Sequence, residues 1–252
     1  MNSEHSLRWK SAFVMLAVIA LVGVINNHFI TWAFLGGVSY FAYLEATKLF
    51  KVESSKLLIP IAITWLAAFF ITPPLFLIFI LLLVLASKMA YDKSITPKEF
   101  APVFYPFASM LFIWNLYIDY GMKALVWLLV IVALSDVGAY YAGRRFGKTP
   151  FSPTSPKKTM EGVYGGVLLA TIIGALVISN SSDMNFLLAL VIAALTSIAG
   201  VFGDLFESYL KREAGVKDSG DLIPGHGGML DRIDGYLFAG VMLYVILEII
   251  GR

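Results

Sequence analysis

LVWLLVIVALSDVGAYYAGRR, residues 125–145, runs through ten apolar positions, meets an aspartate, and ends on a pair of arginines. Roughly 17–25 residues at about 1.5 Å each suffice to cross a bilayer as a helix, so this segment reads as a membrane span. Its arginine pair marks the cytoplasmic end by the positive-inside rule. Asp136 then lies roughly 10 Å below that surface. An acid at such depth is costly unless it is paired, hydrated or bound to a metal, so it marks function by default. The plainer alternative is a structural salt bridge to a lysine of another helix.

The rest of the chain fits the same reading. Of its 252 residues, 59% are hydrophobic and 14% charged, against about 25% charged in a soluble domain. Apolar segments at 11–26, 29–47, 57–71, 74–89, 101–118, 122–143, 163–179, 186–204 and 233–250 predict an all-α, multi-pass integral membrane bundle of nine transmembrane helices. If the N-terminus is cytoplasmic, 17 of the 19 lysines and arginines fall in inside segments, leaving only Lys123 and Arg252 outside. That bias supports the orientation. The apolar run after Arg8 and Lys10 reads as a retained first helix, because no small-residue cleavage site follows it. Residues 1–120 read as scaffold, with no dense polar cluster before position 100, and 121–252 as the catalytic region. Its long inside segments, 144–162 and 205–232, put the chemistry on the cytoplasmic face. A net charge of +2 makes no case for nucleic acid, and the absence of cysteine excludes disulfides, thiolate metal sites and a cysteine nucleophile.

Four further groups of residues carry charge where it needs explaining. In SPTSPKKTMEG, 152–162, Pro153 and Pro156 shape a loop around Lys157 and Lys158, which suits phosphate binding; topogenic charge is the alternative. Asp204, Glu207, Ser208 and Lys211 recur at i, i+3, i+4 and i+7, one stripe of a helix leaving the membrane. Two acids, a hydroxyl and a cation there suit a metal beside an anion, or else a solvated helix end with a Glu207–Lys211 pair. The turn Pro224-Gly225-His226-Gly227-Gly228 allows close backbone approach that other residues forbid, and His226 either donates to a phosphate or steadies the turn. Asp231 and Asp234, at i and i+3, open the last helix either as caps or as the oxygen ligands that Mg²⁺ prefers.

Ser208, Lys211-Arg212, Lys217-Asp218, Gly220, Pro224, His226-Gly227-Gly228, Asp231-Arg232 and Asp234 match, in order and spacing, the signature of the phosphatidate cytidylyltransferases (CDP-diacylglycerol synthases). Asp136, Gly143 to Gly147 and Ser155 to Gly162 resemble that family too, so the similarity covers roughly 125–240. Gly200 and Gly235 depart from it, standing where relatives often have polar residues. The resemblance implies an integral protein of the cell (inner) membrane with its active site facing the cytoplasm, and suggests a homodimer. It also implies a nucleotidyl transfer: CTP and phosphatidic acid, drawn from the cytoplasmic leaflet, give CDP-diacylglycerol and pyrophosphate. The catalytic residues would be Asp204, Ser208, Lys211, Arg212, Asp231, Arg232 and Asp234. Lys157, Lys158, Lys217, Asp218, Gly225, His226, Gly227 and Gly228 would bind substrate. Asp136, Asp204, Asp231 and Asp234 would supply the ligands of Mg²⁺. The rival readings are a CTP-dependent polyprenol or phytol-type lipid kinase, which releases CDP instead, and a membrane transporter. Against the transporter, no inverted repeat is visible and the polar groups gather at one face.

Overall fold

The computed structural model describes residues 2–53 and 55–251, with side chains from residue 9 onward. Arg252 and the side chain of Arg8, both used in the charge count, lie outside the described residues. The helices are α1 (Asn2–Ile25), α2 (His28–Phe50), α3 (Ser55–Phe70), α4 (Phe76–Asp92), α5 (Ser109–Phe146), α6 (Met160–Ser181), α7 (Phe186–Ala214) and α8 (Leu230–Ile249). A 3-10 turn (Pro97–Phe100) and a π-helical turn (Val103–Ala108) lead into α5. The all-α expectation therefore holds, and each of the nine expected segments falls on helix. Two of them, 101–118 and 122–143, share one helical run that is broken at Gly121, whose φ of 72° lies in the left-handed region.

The helix ends have local causes. Asn27 caps α2 by accepting from the Ile30 amide at 3.1 Å. Thr159 does the same for α6 through the Gly162 amide, 3.2 Å away. Between α5 and α6 the chain folds into a small antiparallel hairpin, β1 (Pro150–Ser152) with β2 (Ser155–Thr159). The Glu161 carboxylate holds its entry, accepting from the amides of Lys148 (3.1 Å) and Thr149 (3.2 Å). α7 continues ten residues past the apolar segment expected at 186–204, so the polar stripe from Asp204 to Lys211 is helical throughout.

Two compact units form: Met1–Asn115 with Glu213–Ile233, and Leu116–Arg212 with Asp234–Arg252. In the first, Tyr43, Leu85, Phe107 and Trp114 are buried, and the Trp114 indole donates to the Ala68 carbonyl at 2.9 Å. In the second, Trp127, Ile131, Ile178 and Ile192 form the core, and the Trp127 indole reaches Ser181 Oγ at 2.8 Å. Each unit also exposes large apolar side chains, Phe13, Ile59, Phe70 and Leu83 in the first, Leu168 and Leu187 in the second. Residues 97–146, 160–181 and 186–214 are long and apolar enough to cross a membrane; Trp9–Ile25 and Ser55–Phe70 are shorter apolar helices. Such a surface is solvated by lipid, as the composition requires.

α5 and α6 touch backbone to backbone. A Cβ on Gly138 would come within 2.9 Å of both the Gly165 carbonyl and Gly166 Cα, while one on Gly23 would meet nothing within 4 Å. Gly138→Val should therefore cost about 1–3 kcal/mol, as overpacking does, lowering Tm in detergent. Gly23→Ala should leave Tm unchanged or slightly raised.

Candidate active site

The glycine-rich turn folds within the first unit. The His226 amide donates to the Ile223 carbonyl (2.8 Å) and the Ile223 amide to the Gly227 carbonyl (2.9 Å), closing a tight loop. Gly225 and Gly227 take φ values of 77° and 83°, which is why glycine stands at both. Asp231, in the first turn of α8, braces the loop: its Oδ2 accepts from the Gly228 amide (2.8 Å), the Ser219 amide (2.9 Å) and Ser219 Oγ (2.9 Å). Around the turn lies a cavity of about 500 Å³ lined by Lys217, Asp218, Gly220, Asp221, Ile223, Gly225, His226, Gly227 and Arg232. Six residues that the sequence singles out for substrate or catalysis thus share one cavity. His226 Nδ1 is buried and has no hydrogen-bond partner among the described residues, so it has capacity for a ligand. Lys217, Arg232 and the His226 imidazole suit a polyphosphate, beside two carboxylates, Asp218 and Asp221, in the same lining.

Sequence reasoning passes over Glu45 of α2, 5% exposed. Its carboxylate accepts from the amides of Met229 (3.0 Å) and Leu230 (2.7 Å) and from Ser219 Oγ (3.1 Å). A lone glutamate in LEATKLF gives no local signal, because its partners lie 174 to 185 positions away.

The second unit gathers acids and lysines. Lys158, on β2, pairs with Asp204 of α7. Lys157, its neighbour on the strand, is exposed. Ser208 Oγ reaches Asp204 Oδ1 at 3.4 Å. Glu207 and Lys211 form the expected i,i+4 pair at 2.5 Å, but this is no solvated helix end, because the Glu207 side chain is wholly buried. Asp234, in α8, lies in the electrostatic surroundings of Asp204, Glu207 and Lys211, and its Oδ1 accepts from the Gly235 amide at 2.7 Å. Tyr236, also missed by the sequence reading, is electrostatically coupled to both Asp136 and Asp234. Asp136 itself is exposed on α5, and Arg212 is exposed on α7.

Backbone contact makes this cluster possible. A Cβ on Gly203 would lie 2.5 Å from the Asp234 carbonyl and 3.2 Å from Gly235 Cα, so α7 and α8 cross at van der Waals distance where Asp204 and Asp234 project. Among the described residues no three histidine, aspartate or glutamate groups form a ready-made metal cage. Mg²⁺ asks for less, namely one or two carboxylates, with water and substrate phosphates completing its shell. Asp204 and Asp234 could supply those carboxylates, with Asp204 set against the Lys158 ammonium here.

The cytidylyltransferase family model matches residues 6–250. The chain is 42% identical to a Helicobacter pylori protein named phosphatidate cytidylyltransferase, across 97% of this chain and 92% of that one. It is 31% identical to the Bacillus subtilis protein of the same name across 94% of each. It is also 40% identical to the one from Thermotoga maritima, across 63% of this chain and 61% of that one.

Gly203→Val should push α7 from α8 and cut kcat/KM by roughly 100-fold, the effect of a misplacement of about 1 Å. Gly200→Ala, whose Cβ would meet nothing closer than 3.6 Å, should stay close to wild type in the same assay.

Proposed function

Because the chain belongs to the cytidylyltransferase family, we infer that it transfers the cytidylyl group of CTP to phosphatidic acid, giving CDP-diacylglycerol and pyrophosphate. The observation that carries this reading is near full-length similarity to proteins named for that reaction, in a chain six of whose signature residues (Lys217, Asp218, Gly220, His226, Gly227 and Arg232) line one cavity of about 500 Å³. A phosphate oxygen of the lipid attacks the α-phosphorus of CTP. The new P–O bond forms as the α–β bridge breaks, and pyrophosphate leaves with the electron pair. Both reactants are anions, so the protein's work is charge neutralisation and in-line positioning. No general base is required, since a phosphate monoester with a second pKa of about 6 is already ionised near neutrality.

Lys217, His226 and Arg232 hold the triphosphate. Lys158 and Lys211, each set against a carboxylate, would neutralise substrate phosphate, with Ser208 as a hydroxyl donor; Lys157 and Arg212 are exposed for the lipid headgroup. Asp204 and Asp234 hold Mg²⁺, with Asp136 as a further oxygen donor. When bound, the ion supplies neutralisation of the charge that builds on departing pyrophosphate. Asp231 orders the glycine turn through its committed Oδ2.

The same reading places the protein in the cell (inner) membrane as nine crossings, two of them on either side of Gly121, with a cytoplasmic N-terminus. The basic residues support that orientation. The active site then faces the cytoplasm and takes its lipid from that leaflet. The substrates are CTP and a membrane lipid, with no nucleic acid, and the exposed apolar faces of the N-terminal helices favour a homodimer.

Detergent-purified protein should release pyrophosphate only when CTP, phosphatidic acid and Mg²⁺ are all supplied, and should form a CDP-lipid. CDP release with phosphorylation of a lipid alcohol would replace this reading with a kinase. Asp204→Asn and Asp234→Asn should each lower kcat by roughly 100-fold or more and weaken the response to added Mg²⁺. Full activity with unchanged Mg²⁺ dependence in both would remove them from the metal site.

A further inference from the structure

Glu45 is a buried acid in the interior of a mostly apolar helix, and it accepts hydrogen bonds from Ser219, Met229 and Leu230, in the segment that leads into α8. Oε1 takes the Met229 amide, and Oε2 takes the Leu230 amide and the Ser219 hydroxyl. The fit leaves no spare room: a Cβ on Gly220 would lie 2.6 Å from Oε1, and one on Gly228 would collide with Oε2. Asp231 shares the Ser219 hydroxyl and takes the Gly228 amide. The three successive amides that open α8, at Gly228, Met229 and Leu230, are therefore all spent on internal carboxylates. Unfilled, they would form an anion site at a helix N-terminus.

We propose that Glu45 is a positioning residue for nucleotide binding. It pins the segment 219–230 so that Lys217, His226 and Arg232 line one cavity, and it denies the α8 N-terminus to phosphate, leaving those side chains as the triphosphate's partners. Ser219 is the link, its single hydroxyl proton shared between Glu45 and Asp231. The inference rests on the reading of the chain as a CTP-using enzyme, and it assigns a specific task to a helix otherwise read as scaffold.

The test is CTP saturation kinetics on the full-length protein in detergent, at fixed phosphatidic acid and Mg²⁺, with Tm measured on the same samples. Glu45→Gln keeps the size and loses one acceptor; Ser219→Ala removes only the shared hydroxyl. KM for CTP should rise roughly tenfold in Glu45→Gln, the loss of one charge-assisted hydrogen bond, and by a smaller factor in Ser219→Ala. KM for phosphatidic acid should stay at the wild-type value in both. A wild-type KM for CTP in both variants overturns the proposal, as does a loss that appears only as a lower Tm. Wild-type protein that transfers no cytidylyl group sinks the reading of the reaction instead. In that event equilibrium dialysis of CTP against the same three proteins still decides the role of Glu45, since equal affinities would refute it.

Discussion

A carboxylate taken out of water must be met by donors or cations, or its burial costs several kcal/mol. That demand places nearly every polar side chain of consequence here. Glu45 is met by two amides and a hydroxyl. Asp231 is met by two amides and the same hydroxyl. Glu207 is met by Lys211, and Asp204 by Lys158. Each acid is satisfied in its own way, and the way decides what it is available to do. An acid saturated by backbone amides becomes part of the scaffold of a turn. One balanced by a lysine ammonium is held by a side chain rather than by the backbone.

The second constraint is lipid. Where hydrocarbon surrounds the helices, association gains little from excluding water and depends on close packing. Glycine serves this at Gly138 on α5 and at Gly203 on α7, where backbones meet and a methyl group would not fit. The second contact also has a chemical result, since it brings Asp204 and Asp234 within range of one another. Gly200 and Gly235 lie along the same crossing with more room: a Cβ on Gly200 would make an ordinary contact at 3.6 Å with the Gly235 carbonyl, and one on Gly235 a tighter contact at 3.3 Å with the Gly200 carbonyl.

The helices were legible because long apolar runs admit few other readings, and Gly121 was legible because a polar Asp-Tyr-Gly interrupted one. The hairpin at 150–159 was not: its strands are three and five residues long and contain prolines, so no alternation builds up to announce them. The extension of α7 past its apolar segment was legible in the helical spacing of Asp204, Glu207, Ser208 and Lys211, and the helix ends three residues beyond that stripe. In the site, the dense run from Lys211 to Asp234 declared itself by charge and glycine content. Glu45 did not, since its partners lie 174 to 185 positions along the chain, and neither did Tyr236, whose proximity to Asp136 of α5 arises only on folding.

Asp231 and Asp234 show what folding adds to such a pattern. At i and i+3 in the first turns of one helix they read as an equivalent pair, and pairing is what a metal site invites. Their surroundings differ. Asp231 has three donors on one oxygen, and replacing them would release the turn that carries His226. Asp234 is surrounded instead by acids, Asp204 and Glu207, and by the Lys211 ammonium. Adding a divalent cation relieves repulsion around Asp234, whereas around Asp231 it would compete with hydrogen bonds already made. The proposed role of metal ligand therefore suits Asp234 better than Asp231, whose Oδ2 already braces the glycine turn.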